Sequence, residues 1–373
     1  MNVSRAILVL WAIPLFAIAD STSNYRSKPV IIDTDIFSDV DDVGSLAIAN
    51  VLHSCGLADL RGVTVNTQSK YGALTVSAIN TYFGNGDIPI ASIRPLTNET
   101  FVDTWEFVLG EYVSKIAHNW PHSLNDSSAT PTPVELYRSV LSSSEDQSIT
   151  LISLGFLTNL AALMDSPPDD ITPLAGPALI SAKVKELVVM GGQYPSGWEF
   201  NFAGADPAST RQVVSNWPRD VPITYSGFEL SDGIFSGEKL EDYAPPDSPV
   251  LAAYQWYVGR CSTTRESWDP VTTLYGILGL DGSRELGIGK LFEYSNEIGY
   301  NEILADGSNT WVNASDVSNQ HWLRLADGVT NTSIAGLLTQ FFAHDPSDKS
   351  CSTYGLQDLL RYSNSYDKEC IGT

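Results

Sequence analysis

The chain has 373 residues, 43% hydrophobic and 17% charged, a balance that suits a folded protein and excludes a disordered one. Its formal net charge of −23 leaves no basic surface to neutralise phosphates, so nucleic acid and anionic membranes are excluded as partners. Small neutral or cationic ligands are the expected partners, and self-association stays open.

At the N-terminus, Arg5 precedes the apolar stretch Ala6 to Ala19, which closes on Ala17-Ile18-Ala19. That pattern reads as a secretory signal peptide over residues 1–19, with residues 20–373 as one exported domain. Next, "KPVIIDTD" is a predicted strand, followed by a helix through Gly44 to His53. "LRGVTVNT" is a second strand, followed by a helix from Ala73 to Phe83. The segment from Arg94 to Ser144 reads as a surface excursion with a helix near Trp105 to Ile116. "QSITLISLG" leads into a helix beginning near Leu157, and "VKELVVMGG" and "VPITYSG" are further strands. Asp269 opens another apolar helix, and the part after Leu286 carries turn residues that suit an antiparallel hairpin. Short β-branched runs alternating with helical patterns predict an α/β fold: a mostly parallel, Rossmann-like sheet flanked by helices.

Within residues 20–373, four N-x-S/T sequons, at Asn98, Asn125, Asn313 and Asn331, agree with export. Cys55, Cys261, Cys351 and Cys370 lack the C-x-x-C spacing of a zinc site. In an oxidising compartment they suit one or two disulfides, Cys351 with Cys370 being one option; buried free thiols are the alternative.

The densest chemistry lies in "DTDIFSDVDD", where Asp33, Asp35, Asp39, Asp41 and Asp42 fall within ten residues at the end of an apolar strand. Ligand sites of open α/β sheets gather at that end of the strands. A capping turn explains one or two such acids, with Asp39 a candidate cap for the following helix. Five repel one another enough to call for a cation, and a hard, oxygen-preferring one suits them. An EF-hand does not fit: counted from Asp33, its sixth position is Ser38 rather than Gly and its twelfth is Gly44 rather than Glu.

"IIDTDIFSDVDDVGSLAIA" resembles the N-terminal signature of the inosine–uridine-preferring nucleoside hydrolases, in a version with two extra residues. "GFLTNLAAL", "VVMGGQYPSGWEFNFAGADPAS" and "SWDPVTTLYGI" resemble three further motifs of that family, in the same order. The resemblance implies a nucleoside-hydrolase-like fold and a Ca²⁺ ion held by Asp35, Asp42, Asp269 and the backbone carbonyl of Thr158. It implies Asp35 as general base, with Glu199 and Asn201 on the ribose hydroxyls and Asn66 as a looser match. The acid beside the sugar is Asp39 or Asp41; keeping the terminal Asp-Asp pair intact favours Asp41. Where many members carry a leaving-group histidine, this chain has Trp268. Leaving-group help would then come from stacking on the base, a water, or side chains such as Tyr194 or Glu266.

A carboxylate-rich floor and a divalent cation fit N-glycosidic hydrolysis, in which positive charge develops on the ribosyl ring. The expected activity is therefore secreted, calcium-dependent hydrolysis of ribonucleosides to base and ribose. Hydrolysis of another riboside or glycoside, or binding of calcium and ribose without turnover, are the alternatives.

Overall fold

The computed structural model describes residues 27–100, 111–259, 262–285 and 288–348. The expected signal peptide, Cys261, Cys351, Cys370 and the start of the helix expected near Trp105 lie outside the described residues. The strands are β1 (Lys28–Thr34), β2 (Ala58–Val65), β3 (Ile90–Ser92), β4 (Ile149–Ser153), β5 (Val184–Met190), β6 (Ser196–Gly197) and β7 (Ile223–Ser226). They continue with β8 (Phe235–Ser236), β9 (Arg265–Glu266), β10 (Phe292–Tyr294), β11 (Tyr300–Ile303), β12 (Asn309–Val312) and β13 (Gln320–Leu325). The helices are α1 (Asp41–Ser54), α2 (Lys70–Tyr82), α3 (Val113–Asn119), α4 (Pro133–Ser143), α5 (Thr158–Asp165), α6 (Gly176–Lys183) and α7 (Phe200–Ala203). Then come α8 (Pro207–Asn216), α9 (Phe228–Ser231), α10 (Leu240–Tyr243), α11 (Pro249–Tyr257), α12 (Trp268–Leu278), α13 (Gly282–Glu285) and α14 (Asn331–Phe342).

Eight strands form the main sheet in the order β10-β13-β7-β5-β4-β1-β2-β3. All neighbours pair in parallel except β10, which runs antiparallel to β13 at one edge. The alternation of a strand's side chains divides the core into two layers. Val30 and Ile32 of β1 point into a layer shared with α1, α11, α12 and α14, whereas Ile31 joins α4, α5, α6 and α8 on the other face. With helices covering both faces, the central strands read as continuous apolar runs rather than alternating ones.

Helix starts follow local capping chemistry. Ser69 accepts from the Tyr71 N–H at the head of α2, and Thr132 and Glu135 form a reciprocal capping box on α4. α1 departs from the sequence expectation: its N-cap is Val40 and no side chain caps it. Of the main-chain N–H groups at this helix start, Asp39 accepts that of Val40, at 2.6 Å, while an arginine far along the chain holds its carboxylate. α5 begins at Thr158 with Leu157 as its N-cap, where the sequence places a helix start.

The hairpin expected after Leu286 is β11–β12, and β6 joins it to make a small three-stranded antiparallel sheet. No helix among the described residues is long and apolar enough to cross a membrane.

Candidate metal and ligand site

Five strands of the main sheet deliver the candidate residues from their carboxyl ends. β1 runs out into Asp35, β2 into Asn66, β4 into the loop before Thr158, β5 into Glu199 and Asn201, and β7 into Phe228. The ligand crevice of an open α/β sheet forms in this place because the strand-to-helix loops converge there.

Asp35, Asp42 and Asp269 are buried, and each offers a carboxylate oxygen within 4.8 Å of the others. Asp42 comes from the first turn of α1 and Asp269 from the first turn of α12, two helices that pack against each other in the core. The main-chain N–H of Asp269 donates to Asp41 Oδ2 at 3.1 Å, which ties the two helix starts together. Thr34 Oγ1 donates to Asp42 Oδ1 and orients it. On the side facing β4, Gly155 lies against Asp35: a Cβ there would come within 2.5 Å of the Asp35 Cβ. Only glycine lets the β4 loop approach so closely.

Burial, and then the charge of neighbouring carboxylates, drive the protonation of this cluster upward. Burial raises Asp35 to about 7, with Asp39 and Glu199 adding to the shift. Asp41, Asp42 and Asp269 are raised well above the ordinary carboxylate range for the same two reasons. The guanidinium beside them, Arg265, is held by Asp39 and Glu266. Three buried oxygen donors so close together, with the neighbouring cation engaged elsewhere, fit a hard divalent ion.

Asp39 and Asp41 take different places. Asp41 is 3% exposed and belongs to the cluster. Asp39 is half-buried and turns to Arg265, whose Nε and Nη2 donate to its carboxylate at 2.6–3.1 Å. Arg265 also lies over the rings of Tyr257 and Trp268, and Tyr112 donates to the Asp39 carbonyl.

Below the cluster, Asp33 accepts from Asn66 Nδ2 at 3.0 Å, Asn159 Nδ2 at 3.1 Å and Tyr137 OH at 2.6 Å. Burial nevertheless raises it to about 7. Asn66 spends its other amide proton on the Phe156 carbonyl at 2.9 Å, and its Oδ1 is buried without a partner. Its donors therefore hold Asp33 and the β4 loop.

Glu199 caps the short helix α7. Its carboxylate accepts from the main-chain N–H groups of Gly192 at 3.0 Å, Asn201 at 2.7 Å and Phe202 at 3.1 Å. Burial raises it to about 7 against those three bonds. Gly192 reaches it from a turn at φ +77°, a conformation that glycine adopts freely. Asn201 donates to the carbonyls of Leu154 at 2.7 Å and Met190 at 3.3 Å, joining the loops after β4 and β5.

Two aromatic pairs flank the acids. Trp268 stacks on Phe228 with centroids 5.4 Å apart, and its Nε1 donates to the Phe228 carbonyl at 3.1 Å. Phe156 meets Phe200 at 5.7 Å, and Trp198 and Phe200 are exposed rather than core residues. The expected leaving-group helpers are placed otherwise. Tyr194 is buried and accepts from Asn301 through its hydroxyl, and Glu266 pairs with Arg265. Phe228 and Arg265 escape a reading of spacing: the Asp39–Arg265 pair spans 226 positions.

A sequence model of the inosine-uridine preferring nucleoside hydrolases matches residues 30–288. No curated protein sequence matches the chain. Among solved structures, a plant nucleoside hydrolase, PpNRh1, is 20% identical with a TM-score of 0.56, over 85% of this chain and 99% of its own. The inosine-uridine preferring nucleoside hydrolase of Bacillus anthracis is 17% identical with a TM-score of 0.56, over 85% and 99%. The effector protein XOO4466 is 15% identical with a TM-score of 0.59, over 85% and 93%. These likenesses show a shared fold, and the match over residues 30–288 goes further. The chain belongs to the inosine-uridine preferring nucleoside hydrolase family, whose chemistry is hydrolysis of N-glycosyl bonds.

Proposed function

We propose that this protein is an exported, Ca²⁺-dependent ribonucleoside hydrolase that releases a nucleobase and ribose. The observation that carries the reading is the convergence of Asp35, Asp42 and Asp269, within 4.8 Å of one another, at the carboxyl edge of the sheet. Asp35, Asp42, Asp269 and the Thr158 carbonyl would hold the ion. When bound, it supplies a charge that acidifies water and draws in vicinal hydroxyls.

The protein's own groups do the rest. Asp35 accepts the proton of the attacking water. Asp41, Glu199 and Asn201 hold the ribose hydroxyls, with Asn66 fixing the floor beneath them. The massed carboxylates favour the positive charge that builds on the ring as the N-glycosidic bond breaks. Trp268 stacks on the departing base, and the Phe228–Trp268 pair favours the broad plane of a purine.

Export is supported by the signal-like N-terminus and by the exposure of Asn98, Asn125, Asn313 and Asn331, the four sequon asparagines of residues 20–373. Cys55 is disulfide-bonded, which agrees with an oxidising compartment.

The test is ribose release from a panel of purine and pyrimidine nucleosides by the purified protein. Chelator should abolish turnover and Ca²⁺ restore it. Asp35→Ala should lower kcat by at least about 10²-fold, the lower range for loss of a positioned proton acceptor. Absence of ribose from every nucleoside, with Ca²⁺ present, would refute the proposal.

A further inference from the structure

The hairpin β11–β12 lies beyond residue 288, where the family match ends, yet it grips the loop that leads to Glu199. β12 pairs antiparallel with β6, Asn309 opposite Gly197 and Thr310 opposite Ser196. The Trp311 N–H donates to the Pro195 carbonyl at 2.7 Å.

At the centre of this contact Asn309 is 3% exposed and acts as a surrogate strand for one residue. Its Oδ1 accepts from the Gln193 N–H at 2.8 Å, and its Nδ2 donates to the Gln193 carbonyl at 3.0 Å. The same Nδ2 donates to Asn301 Oδ1 at 3.1 Å, and Asn301 Nδ2 donates to the Tyr194 hydroxyl at 3.0 Å. The residue before Gln193 is Gly192, whose N–H holds Glu199 Oε2. From the other end of the hairpin, Gly307 sits against Ala203 of α7, close enough that a Cβ would lie 2.5 Å from the Ala203 Cα.

We propose that Asn309 is a positioning residue for the substrate site, fixing through Gln193 and Gly192 the direction in which Glu199 presents its carboxylate. The proposal rests on the reading of Glu199 as a ribose-binding group. Removing the Asn309 amide strands a half-buried N–H and C=O on Gln193, so the 192–199 loop must shift to find new partners. The shift moves a donor to Glu199 and leaves Asp35, Asp42 and Asp269, which come from other loops, in place.

The experiment compares wild type, Asn309→Ala, Glu199→Gln and the double variant as full-length proteins. Ca²⁺ affinity and ribose affinity are measured by calorimetry, and kcat and KM with inosine. The expected result for Asn309→Ala is unchanged Ca²⁺ affinity, ribose binding weakened about tenfold and KM raised in step, consistent with the loss of one buried hydrogen-bonding unit. The double variant should bind ribose no worse than Glu199→Gln alone, since both substitutions act on one group.

Asn309→Ala that binds Ca²⁺ and ribose like wild type, or losses that add independently to those of Glu199→Gln, would overturn the positioning role while leaving the hydrolase reading intact. A wild type that neither binds ribose nor cleaves any nucleoside would overturn both. If Asn309→Ala does not fold, Asn309→Asp carries the same test, because it keeps the acceptor for Gln193 and loses only the donors.

Discussion

Asp39 and Asp41 stand two residues apart in one loop and carry different loads. Asp39 is the counter-ion of Arg265 and, through it, a brace between the loop before α1 and the segment that enters α12. Asp41 accepts from the Asp269 N–H and keeps its carboxylate in the buried cluster. Asp41→Asn should therefore leave thermal stability nearly unchanged and lower kcat/KM for a nucleoside by about 10²-fold or more, the scale of losing one preorganised charge. Asp39→Asn should do the reverse. Weakening the charged hydrogen bonds to Arg265, which keeps Glu266 as a partner, costs about 1–3 kcal/mol of stability, with a smaller kinetic loss. Melting curves and steady-state kinetics on the two variants separate the roles, and equal kinetic losses would show the assignment to be wrong.

At the scale of elements, α12 places two residues of the candidate site side by side. Trp268, its first residue, stacks on Phe228 of α9, and Asp269, its second, faces the cluster. Its remaining residues are buried against α1 and the sheet, so the helix start is fixed by packing. Trp268→Ala should raise KM for purine nucleosides about 3- to 10-fold, the worth of one aromatic stack, and leave Ca²⁺ affinity as it was. An unchanged KM with purines would remove Trp268 from the base-binding surface.

Much of this element-level picture was legible in the sequence. The apolar runs that became β1, β2, β4, β5 and β7 announced a parallel sheet. The acids at the end of the first run announced what lies at its edge. Residues that act over long distances were not legible, because an ion pair such as Asp39–Arg265 leaves no period in the chain. The three-residue strands β3 and β10 lacked the length that makes a strand pattern visible, and β13, six residues long, carries no β-branched residue to mark it. The expected cap at Asp39 failed because tertiary pairing outcompeted the local hydrogen bond.

For the molecule as a whole, burying so many carboxyl groups links stability to pH. Glu199 shows the sign cleanly, since its carboxyl is raised from 4.5 to about 7 by burial. Between those values the folded protein holds a proton that the unfolded chain has released. Its contribution to stability is thus fully present below about 4.5 and lost as the pH rises through 7. The neutral Gln of Glu199→Gln has no such dependence. With chelator present, the stability difference between wild type and Glu199→Gln should move against wild type by about 3 kcal/mol from pH 4.5 to 8, at 1.36 kcal/mol per pKa unit. Urea titrations at a series of pH values test this, and a constant difference would refute it.

The pairing of β6 with β12 has a further consequence, in the order of events as the chain is made. The loop carrying Glu199 leaves the ribosome more than a hundred residues before Asn309. The strand that seats beside β7, β13, comes later still. Through that interval the acids of the first loop and the loop of Glu199 exist without the hairpin that braces one of them. Assembly of the site therefore finishes late, with the arrival of a segment that supplies none of its ligands.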